Sequence, residues 1–273
     1  MDFTKRLLFT SSAALTVSIL LVIISYILLK GLPLVDFEFI FSNPIDSGKS
    51  GGILPMILSS LYLVVLTALI SVPISVGSAI YVTQYCRNDN LTRIIRFCSQ
   101  TLAAVPSIVY GLFGFAFFIL FLKLDWSLLC ASLVLALMSI PTIFQVSEVS
   151  LNSIPVELTQ ASLALGASKS QAITSVILPS ALSGIFTGVV LALTRAISEA
   201  AAVMFVVGST FAIPLSIFDA GRPLPLHLYI LATEGVSIEN AYATAAVLLI
   251  IILIITVLSN YLINRYQNKI GGI

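Results

Sequence analysis

An arginine and a glutamate stand four residues apart inside an apolar stretch of this sequence. The stretch extends from about Ala181 to Gly208, and the pair is Arg195 and Glu199 in the segment RAISEAAAV. A charged side chain at the centre of a bilayer costs about 2.5–3.5 kcal/mol on insertion scales. On one helix, the two side chains would lie on the same face within reach of each other. The spacing therefore predicts a buried ion pair.

Three roles are open for this pair. It can be a structural bridge between helices, although a buried pair rarely stabilises more than an apolar replacement does. Arg195 can instead line a permeation path and offer a fork of N–H donors to an anion, with Glu199 holding or releasing it. The pair can also be a gate that changes partners between two conformations. Intramembrane ionisable residues are functional candidates by default, which favours the path or the gate.

Four other polar residues within the apolar segments are candidates for the same path or gate. They are Ser198, Ser107, Tyr110 and Gln145. The hydroxyl groups can donate to a cargo, but a serine or tyrosine in a membrane helix often bonds only its own backbone or a neighbouring helix. The lone His227 has no cysteine or histidine near it and is expected on the surface of a loop. The sequence predicts no catalytic residue and no metal site.

The composition decides the class of protein. Of the 273 residues, 59% are apolar and only 9% are charged, whereas a soluble domain carries about a quarter charged residues. This favours an all-α integral membrane protein in contact with lipid. The formal net charge of +1 and the lack of a basic run argue against a nucleic-acid partner.

Six apolar stretches are long enough to cross a bilayer, which takes about 17–25 helical residues. They are approximately Leu8–Leu29, Leu54–Val82, Phe97–Leu122, Leu128–Val146, Ala181–Gly208 and Ala241–Ile263. Cytosolic loops are enriched in basic residues, so we expect a multi-pass protein of the inner (cytoplasmic) membrane with both termini in the cytosol. The basic residues expected on the cytosolic side are Lys5, Arg6, Arg87, Arg93, Arg96, Lys169, Arg265 and Lys269. Those expected outside are Lys30, Lys49, Lys123 and Arg222.

The predicted organisation is an N-terminal anchor helix with an external loop over residues 1–50, followed by a core domain over residues 51–273. Prolines and glycines within the spans predict bent helices, and Gly184 with Gly188 forms a step of small residues that lets another helix approach. Irregular helices at membrane depth usually line a cavity, which favours a transport protein over an inert anchor.

A cytosolic loop at about residues 147–180 contains the segment SIPVELTQASLALGASKSQAITSVILPSAL. Pro155 is tolerated at a helix start, and Gly166 is typical of a helix end. Ser168 or Ser170 can cap a second helix, which Pro179 should end. The loop therefore predicts two short helices joined at an elbow. A helix lying on lipid would carry many basic residues, so docking into a protein groove is favoured.

The loop resembles the EAA loop of ABC-importer permeases, whose pattern is E-A-A-x3-G-x9-I-x-L-P. In that family, the loop forms a coupling helix that sits in a cleft of the cytosolic ATPase. This sequence departs from the pattern at Gln160, Ser162 and Val176. The resemblance implies ATPase-coupling roles for Gln160, Ala161, Ser162, Leu165, Gly166, Lys169, Leu178 and Pro179.

Four more stretches resemble one branch of that family, the PstA permeases of phosphate transport. They are GGILPMILSSLYLVVLTALISVPISVGSAIYV, VPSIVYGLFG, RAISEAA and LPLHLYILATEG. The resemblance implies the type I ABC-importer (MetI-like) fold with six transmembrane helices, and a function as permease for inorganic phosphate. It implies as partners a PstC-like second permease, two PstB-like ATPase subunits and an external PstS-like phosphate-binding protein. Gln145 stands where phosphate permeases often carry an arginine.

The sequence lacks the G-x-x-x-x-G-K-[ST] loop that cradles nucleotide phosphates. We therefore expect a non-catalytic subunit that binds no cofactor, with ATP-Mg on the partner ATPase. Two alternatives are a permease for another oxyanion, such as molybdate or sulfate, and a scaffold that signals phosphate status without transport. The ion pair and the coupling loop together argue against the scaffold, and the lack of visible inverted halves argues against a secondary transporter.

Overall fold

The computed structural model describes residues 3–86 and 88–270. The elements in chain order are α1 (Phe3–Gly31), α2 (Phe37–Phe41), β1 (Pro44–Ile45), β2 (Ser50–Gly51), α3 (Leu54–Ile80), α4 (Asp89–Ala104), α5 (Ser107–Gly114), α6 (Leu128–Asn152), α7 (Val156–Ala164), α8 (Lys169–Ala172), α9 (Leu178–Ile197), α10 (Leu224–Thr233) and α11 (Ile238–Ile270). Wider π-helical segments continue three of the helices. They are Tyr81–Tyr85 after α3, Phe115–Phe121 after α5 and Ile173–Ile177 after α8.

Within the described ranges, five helices are long and apolar enough to cross a membrane. They lie at Lys5–Leu34, Leu54–Tyr85, Leu128–Asn152, Lys169–Ile197 and Ile238–Arg265. A sixth span results if α4 and α5 are taken together. The prediction of an all-α membrane protein is therefore confirmed. Of the basic residues used to predict orientation, Arg87 lies outside the described residues, as does the side chain of Lys269.

The third predicted span is not one helix. Helix α4 and the helical run Ser107–Phe121 meet at an angle of 99°. Val105 and Pro106 are extended at the break, because the residue before a proline is disfavoured in a helix. The stretch predicted as a span over Phe97–Leu122 is therefore sharply bent at Pro106, and Arg96 lies in a helix rather than in a loop.

The described chain divides into two compact units. One unit comprises the chain up to Leu54 together with His227–Ile250, and the other comprises Pro55–Leu226 together with the chain from Ile251. In the first unit, β1 and β2 form an antiparallel hairpin. The side chain of Asn240 donates hydrogen bonds of 2.9 and 3.0 Å to the carbonyl groups of Gly48 and Lys49 in its turn.

His227 is buried in α10 beside that hairpin, so its predicted surface position is wrong. Gly48 makes room for the imidazole ring, because a Cβ atom at Gly48 would lie 2.8 Å from the ring carbon Cε1. Gly48 also has a φ of +94°, which favours glycine. The apolar neighbours of His227 in the segment LPLHLYIL place this face of α10 in the core.

In the second unit, α6 and α9 pack closely through small residues. Gly184 lies against the side chain of Ser150, and a Cβ atom at Gly188 would come within 2.7 Å of the Val146 Cβ atom. Such steps of small residues let two helix backbones approach in a membrane. The predicted close approach at these two glycines is confirmed.

Pro141 interrupts the backbone hydrogen bonds of α6 near its middle. The Ser75 hydroxyl of α3 donates to the Ile140 carbonyl at 3.2 Å, and the Ser99 hydroxyl of α4 donates to the Pro141 carbonyl at 3.5 Å. Two neighbouring helices therefore contact the backbone of α6 beside the proline, and such contacts with other helices make a bent helix tolerable in a membrane.

An apolar core joins the ends of α3 and α6 to the run from α8 to α9. It contains Ala79, Val82, Phe144, Leu151, Ile173, Ile177, Ala181 and Ile185. Helical structure is continuous over Lys169–Ile197, so the predicted helix end at Pro179 is wrong. The π-helical segment widens the turn just before Pro179, and proline is tolerated in the first turn of the α-helix that follows.

Two glycine substitutions test the α6–α9 contact. Gly188→Ala should destabilise the protein by about 1–3 kcal/mol, because the new methyl group overlaps the Val146 side chain. Gly77→Ala, in α3, is the matched control: a Cβ atom there meets nothing within 4 Å, so alanine should stabilise the helix by about 0.5–1 kcal/mol. The measurement is thermal unfolding of the purified protein in detergent. Equal shifts for the two variants would contradict the described packing.

Candidate functional site

Helix α9 ends inside the fifth predicted span. Its last residue is Ile197, and the N–H groups of Ser198 and Glu199 close the end by bonding to the carbonyl groups of Arg195 and Ala196. Residues 198–223 form turns and extended segments. The prediction of one helix from Ala181 to Gly208 is therefore wrong, and Arg195 lies in the last helical turn with Glu199 beyond it.

The first part of the irregular segment that follows α9 is largely covered by protein. Ala202, Val203, Val206 and Val207 are buried there. The Trp126 indole donates to the Phe205 carbonyl at 3.2 Å, and the Ser127 N–H group donates to the Val206 carbonyl at 3.1 Å. Non-helical backbone at membrane depth is tolerated only when protein or a water-filled cavity surrounds it. This segment meets that condition through Trp126 and Ser127, directly before α6.

The contact between Gly188 and Val146 fixes the depth of Arg195. Helices α6 and α9 are antiparallel there, so the seven residues from Gly188 to Arg195 correspond to seven residues back from Val146, which leads to Ser139. Ser139 is the twelfth of the 25 residues of α6, counted from Leu128. Arg195 therefore lies about halfway along a membrane-spanning helix.

The ion pair between Arg195 and Glu199 is loose. The Arg195 Nε atom lies 4.0 Å from the Glu199 Oε1 atom, whereas a charge-assisted hydrogen bond spans about 2.7–2.9 Å. The Arg195 side chain is 50% exposed and the Glu199 side chain is 16% exposed. The carbonyl end of α9 also favours a cation at this turn. The guanidinium group is thus held by charge and keeps N–H donors for another acceptor.

Tyr110 of α5 lies within electrostatic range of Arg195. The tyrosine side chain is buried. Its hydroxyl donates to the Leu102 carbonyl at 2.8 Å, so the phenol ties α5 to the end of α4 across the bend. Ser107 opens α5 one turn before Tyr110.

Ser198 and Gln145 do not join the pair in one cluster. The Ser198 hydroxyl donates to the Thr194 carbonyl at 3.0 Å, which is the simple backbone alternative expected for such a serine. By the α6–α9 register, Gln145 lies opposite Val189, which is six residues from Arg195. At 1.5 Å per residue, Gln145 is therefore displaced by about 9 Å along the helix axis toward Asn152, the last residue of α6.

A second ion pair, which the sequence reasoning missed, lies near Gln145. The Arg96 Nε atom donates to the Glu148 Oε1 atom at 2.6 Å, between α4 and α6. Gln145 donates to the Ser99 hydroxyl at 3.3 Å, one helical turn along α4 from Arg96. The two charged residues are 52 positions apart, so no local spacing predicts their contact. The one indication of this ion pair in the sequence was Glu148 itself, because an acidic residue inside an apolar helix needs a partner.

The predicted coupling loop has the expected form. Helix α7 has no buried residue, and Leu165 beyond its end is 90% exposed. Gly166 adopts a φ of +87° at the elbow. Ser168 caps α8 in a capping box with Gln171. Exposed apolar side chains on a rigid helix outside the spans are typical of a docking surface.

The eight residues of the predicted coupling set fall into two groups. The exposed or partly exposed ones on α7, the elbow and the start of α8 are Gln160, Ala161, Ser162, Leu165, Gly166 and Lys169. Lys169 also lies over the Tyr85 ring, 5.1 Å from its centroid. Leu178 packs at the edge of the apolar core, and Pro179 lies in the first turn of α9. Leu178 and Pro179 therefore belong to the start of α9, and not to the exposed surface of the coupling loop.

Residues 71–270 match the family described as binding-protein-dependent transport system inner membrane component. The chain is 32% identical over 280 residues to YqgI, a probable ABC transporter permease protein of Bacillus subtilis strain 168, with 96% of this chain and 95% of the relative covered. It is 30% identical over 229 residues to the phosphate transport system permease protein PstA of Pasteurella multocida strain Pm70, with 83% and 80% covered.

The fold is similar to that of a chain in the crystal structure of a bacterial ABC transporter involved in the import of the acidic polysaccharide alginate. The TM-score is 0.71 at 14% sequence identity, and 97% of each chain is covered. At this identity, the likeness concerns the fold alone, and it extends over nearly all of the described helices.

A double-mutant cycle tests whether the loose pair is a structural bridge. Arg195→Gln, Glu199→Gln and the double variant should give a coupling energy of about 0–1 kcal/mol, because the two side chains are 4.0 Å apart and that of Arg195 is half exposed. The measurement is the free energy of unfolding in detergent. A coupling of about 3 kcal/mol or more, the range for breaking a buried pair, would identify a structural bridge instead.

Proposed function

Because the chain belongs to the family of binding-protein-dependent transport system inner membrane components, it is a non-catalytic permease subunit of an ABC importer, and we propose that its cargo is inorganic phosphate. It is a multi-pass protein of the inner membrane. The cytosolic placement of both termini stays a prediction. The observation that carries the proposal is the half-exposed guanidinium group of Arg195, held about halfway through the membrane.

An anionic cargo gives a reason for a cation at this depth. A guanidinium group presents a planar fork of donors that matches the oxygens of a tetrahedral oxyanion. Glu199 at 4.0 Å is close enough to balance the charge while the path is empty, and too far to occupy the donors. The similarity to PstA permeases supports phosphate among the oxyanions.

The other candidate residues take supporting roles in this proposal. Tyr110 fixes the bend between α4 and α5 beside Arg195, since its hydroxyl bonds the Leu102 carbonyl. Ser107 and Ser198 line the path near Arg195. Gln145 lies about 9 Å further inward and offers an amide where an anion leaves the guanidinium group. Release is easier from a neutral amide than from a second arginine.

Permeases of this family work with a second permease, ATPase subunits and an external binding protein. For this chain, we propose PstC-like, PstB-like and PstS-like partners. The exposed surface of α7, from Gln160 to the elbow at Gly166, enters a cleft of the ATPase. ATP-Mg binds to that partner, and this chain binds no cofactor.

The proposed cycle follows from the packing. Closure of the ATPase subunits around ATP displaces α7, and the core around Phe144 and Ile177 transmits the displacement to α3, α6 and α9. The bent helices then switch the path from inward-facing to outward-facing. The loaded binding protein releases phosphate into the path, and hydrolysis restores the inward-facing state.

Uptake into vesicles that contain the whole importer tests the role of Arg195. Arg195→Ala should lower phosphate uptake by about 10- to 100-fold, the effect of losing one hydrogen bond to a charged group. Arg195→Lys keeps the charge but loses the fork of N–H donors. Its phosphate uptake should lie between that of Arg195→Ala and that of the unmodified importer. Membrane insertion and assembly should persist in both variants. Undiminished uptake by Arg195→Ala would overturn the proposed role.

The unmodified importer distinguishes the alternatives in the same vesicles. Stimulation of ATP hydrolysis by the phosphate-loaded binding protein supports the proposed cargo. Stimulation by sulfate or molybdate alone would assign another oxyanion. A complex that assembles but shows neither stimulation nor uptake would indicate a scaffold.

The elbow at Gly166 gives a separate test of coupling. Gly166→Val should uncouple ATP hydrolysis from uptake, because a β-branched residue is strained at a φ of +87° and would displace α7. Gly166→Asn is the matched control and should retain coupling, because asparagine adopts left-handed conformations more readily. Neither side chain would clash, since a Cβ atom at Gly166 meets nothing within 4 Å. Equal coupling in the two variants would contradict the role of the elbow.

A further inference from the structure

The ion pair between Arg96 and Glu148 has no part in the site described above. Its donor and acceptor lie 2.6 Å apart, so it is a true hydrogen bond as well as an ion pair. Glu148 is buried, with only 11% of its side chain exposed, whereas the Arg96 side chain is 48% exposed. The carboxylate therefore depends on this guanidinium group more than the guanidinium group depends on it.

This pair and two neighbouring contacts attach α4 to α6. Gln145 donates to the Ser99 hydroxyl at 3.3 Å, within one turn of the pair on each helix, and the Ser99 hydroxyl donates to the Pro141 carbonyl at 3.5 Å. Ser99 is the buried residue of α4, and Ile95 is partly buried against the apolar core. Because so little of α4 is buried, polar contacts rather than apolar area hold it against α6.

The attachment point on α6 lies between a bend and the coupling loop. Pro141 interrupts α6 seven residues before Glu148, and α6 ends at Asn152, four residues after Glu148. Helix α7 begins at Val156. A displacement of α7 therefore acts on the inner half of α6, which carries Glu148.

The C-terminal end of α4 is connected through α5 to the surroundings of Arg195. Helix α4 turns through 99° into α5, and the Tyr110 hydroxyl holds that corner by its bond to the Leu102 carbonyl. Next to Tyr110, a Cβ atom at Gly111 would lie 2.7 Å from the Ala202 carbonyl oxygen, so α5 packs against the segment that follows Arg195. The ion pair thus completes a continuous series of contacts from the end of α6 to the surroundings of Arg195.

From this series of contacts, we propose that Arg96 and Glu148 are positioning residues that make α4 follow the inner half of α6. Movement that starts at α7 then reaches the corner between α4 and α5, and so the surroundings of Arg195. The inference rests on the proposed transport function for its physiological role, but the joint movement of α4 and α7 is independent of the cargo.

Spin labels on the whole importer test the joint movement. One label replaces Asn90 at the exposed start of α4 and the other replaces Val156 at the exposed start of α7, in a chain whose three cysteines are changed to serine. The distance between the labels should stay the same with and without a non-hydrolysable ATP analogue. In Arg96→Gln, the analogue should change this distance, because α7 moves without α4.

Uptake and hydrolysis give the second readout. Arg96→Gln should lower the phosphate taken up per ATP hydrolysed by about ten-fold, a typical size for a coupling between two sites. Arg93→Gln is the matched control, since Arg93 is an exposed arginine one turn earlier on α4, and it should leave both readouts unchanged. The exchanged pair, Arg96→Glu with Glu148→Arg, should restore both the constant label distance and the amount of phosphate taken up per ATP hydrolysed.

Three results would overturn the proposal. The first is an unchanged label distance in Arg96→Gln, and the second is an exchanged pair that assembles but stays uncoupled. The third is an exchanged pair that fails to assemble, because a pair whose role is to attach α4 to α6 should tolerate the exchange. If the unmodified importer takes up no phosphate, the proposed cargo is wrong, and the label distances still decide the role of the pair.

Discussion

A helix that ends inside a membrane leaves its last carbonyl groups without intrahelical donors, and much of this structure follows from that constraint. Helix α9 ends at Ile197, about halfway along α6. The carbonyl end of α9 forms a negative pole, which lowers the cost of a cation in the last turn. Because the helix ends at this depth, the free-energy cost of placing Arg195 there is lower than it would be in an uninterrupted helix.

The same constraint explains the packing around the irregular segment. The chain after Ile197 lacks a helix of its own, so other elements must surround its backbone. Gly111 of α5 approaches the Ala202 carbonyl so closely that a Cβ atom would lie 2.7 Å from it. Trp126 and Ser127, directly before α6, contribute N–H donors. Small residues on α5 and these donors are therefore part of the support for Arg195.

Features that depend on local chemistry could be predicted from the sequence, and those that depend on distant contacts could not. The elbow of the coupling loop was predictable, because Gly166 and Ser168 specify a helix end and a helix start by themselves. The end of α9 was not, because the segment RAISEAAAV contains good helix formers and tertiary packing overrides their propensity. The contact between Arg96 and Glu148 joins two helices whose arrangement the sequence leaves open. The pairing of Arg195 with Glu199 was predicted, but the end of the helix between these two residues was not.

The π-helical segment Ile173–Ile177 helps to set the rotation of α9 about its own axis. Four buried residues follow one another at intervals of four, namely Ile173, Ile177, Ala181 and Ile185. In a regular α-helix, each such interval turns the side chain by about 40° away from the core. The wider turn compensates part of this drift and keeps the stripe facing one way. A deletion of one residue here would rotate the rest of α9 by about 100°, so the number of residues below Arg195 determines the direction in which its side chain points.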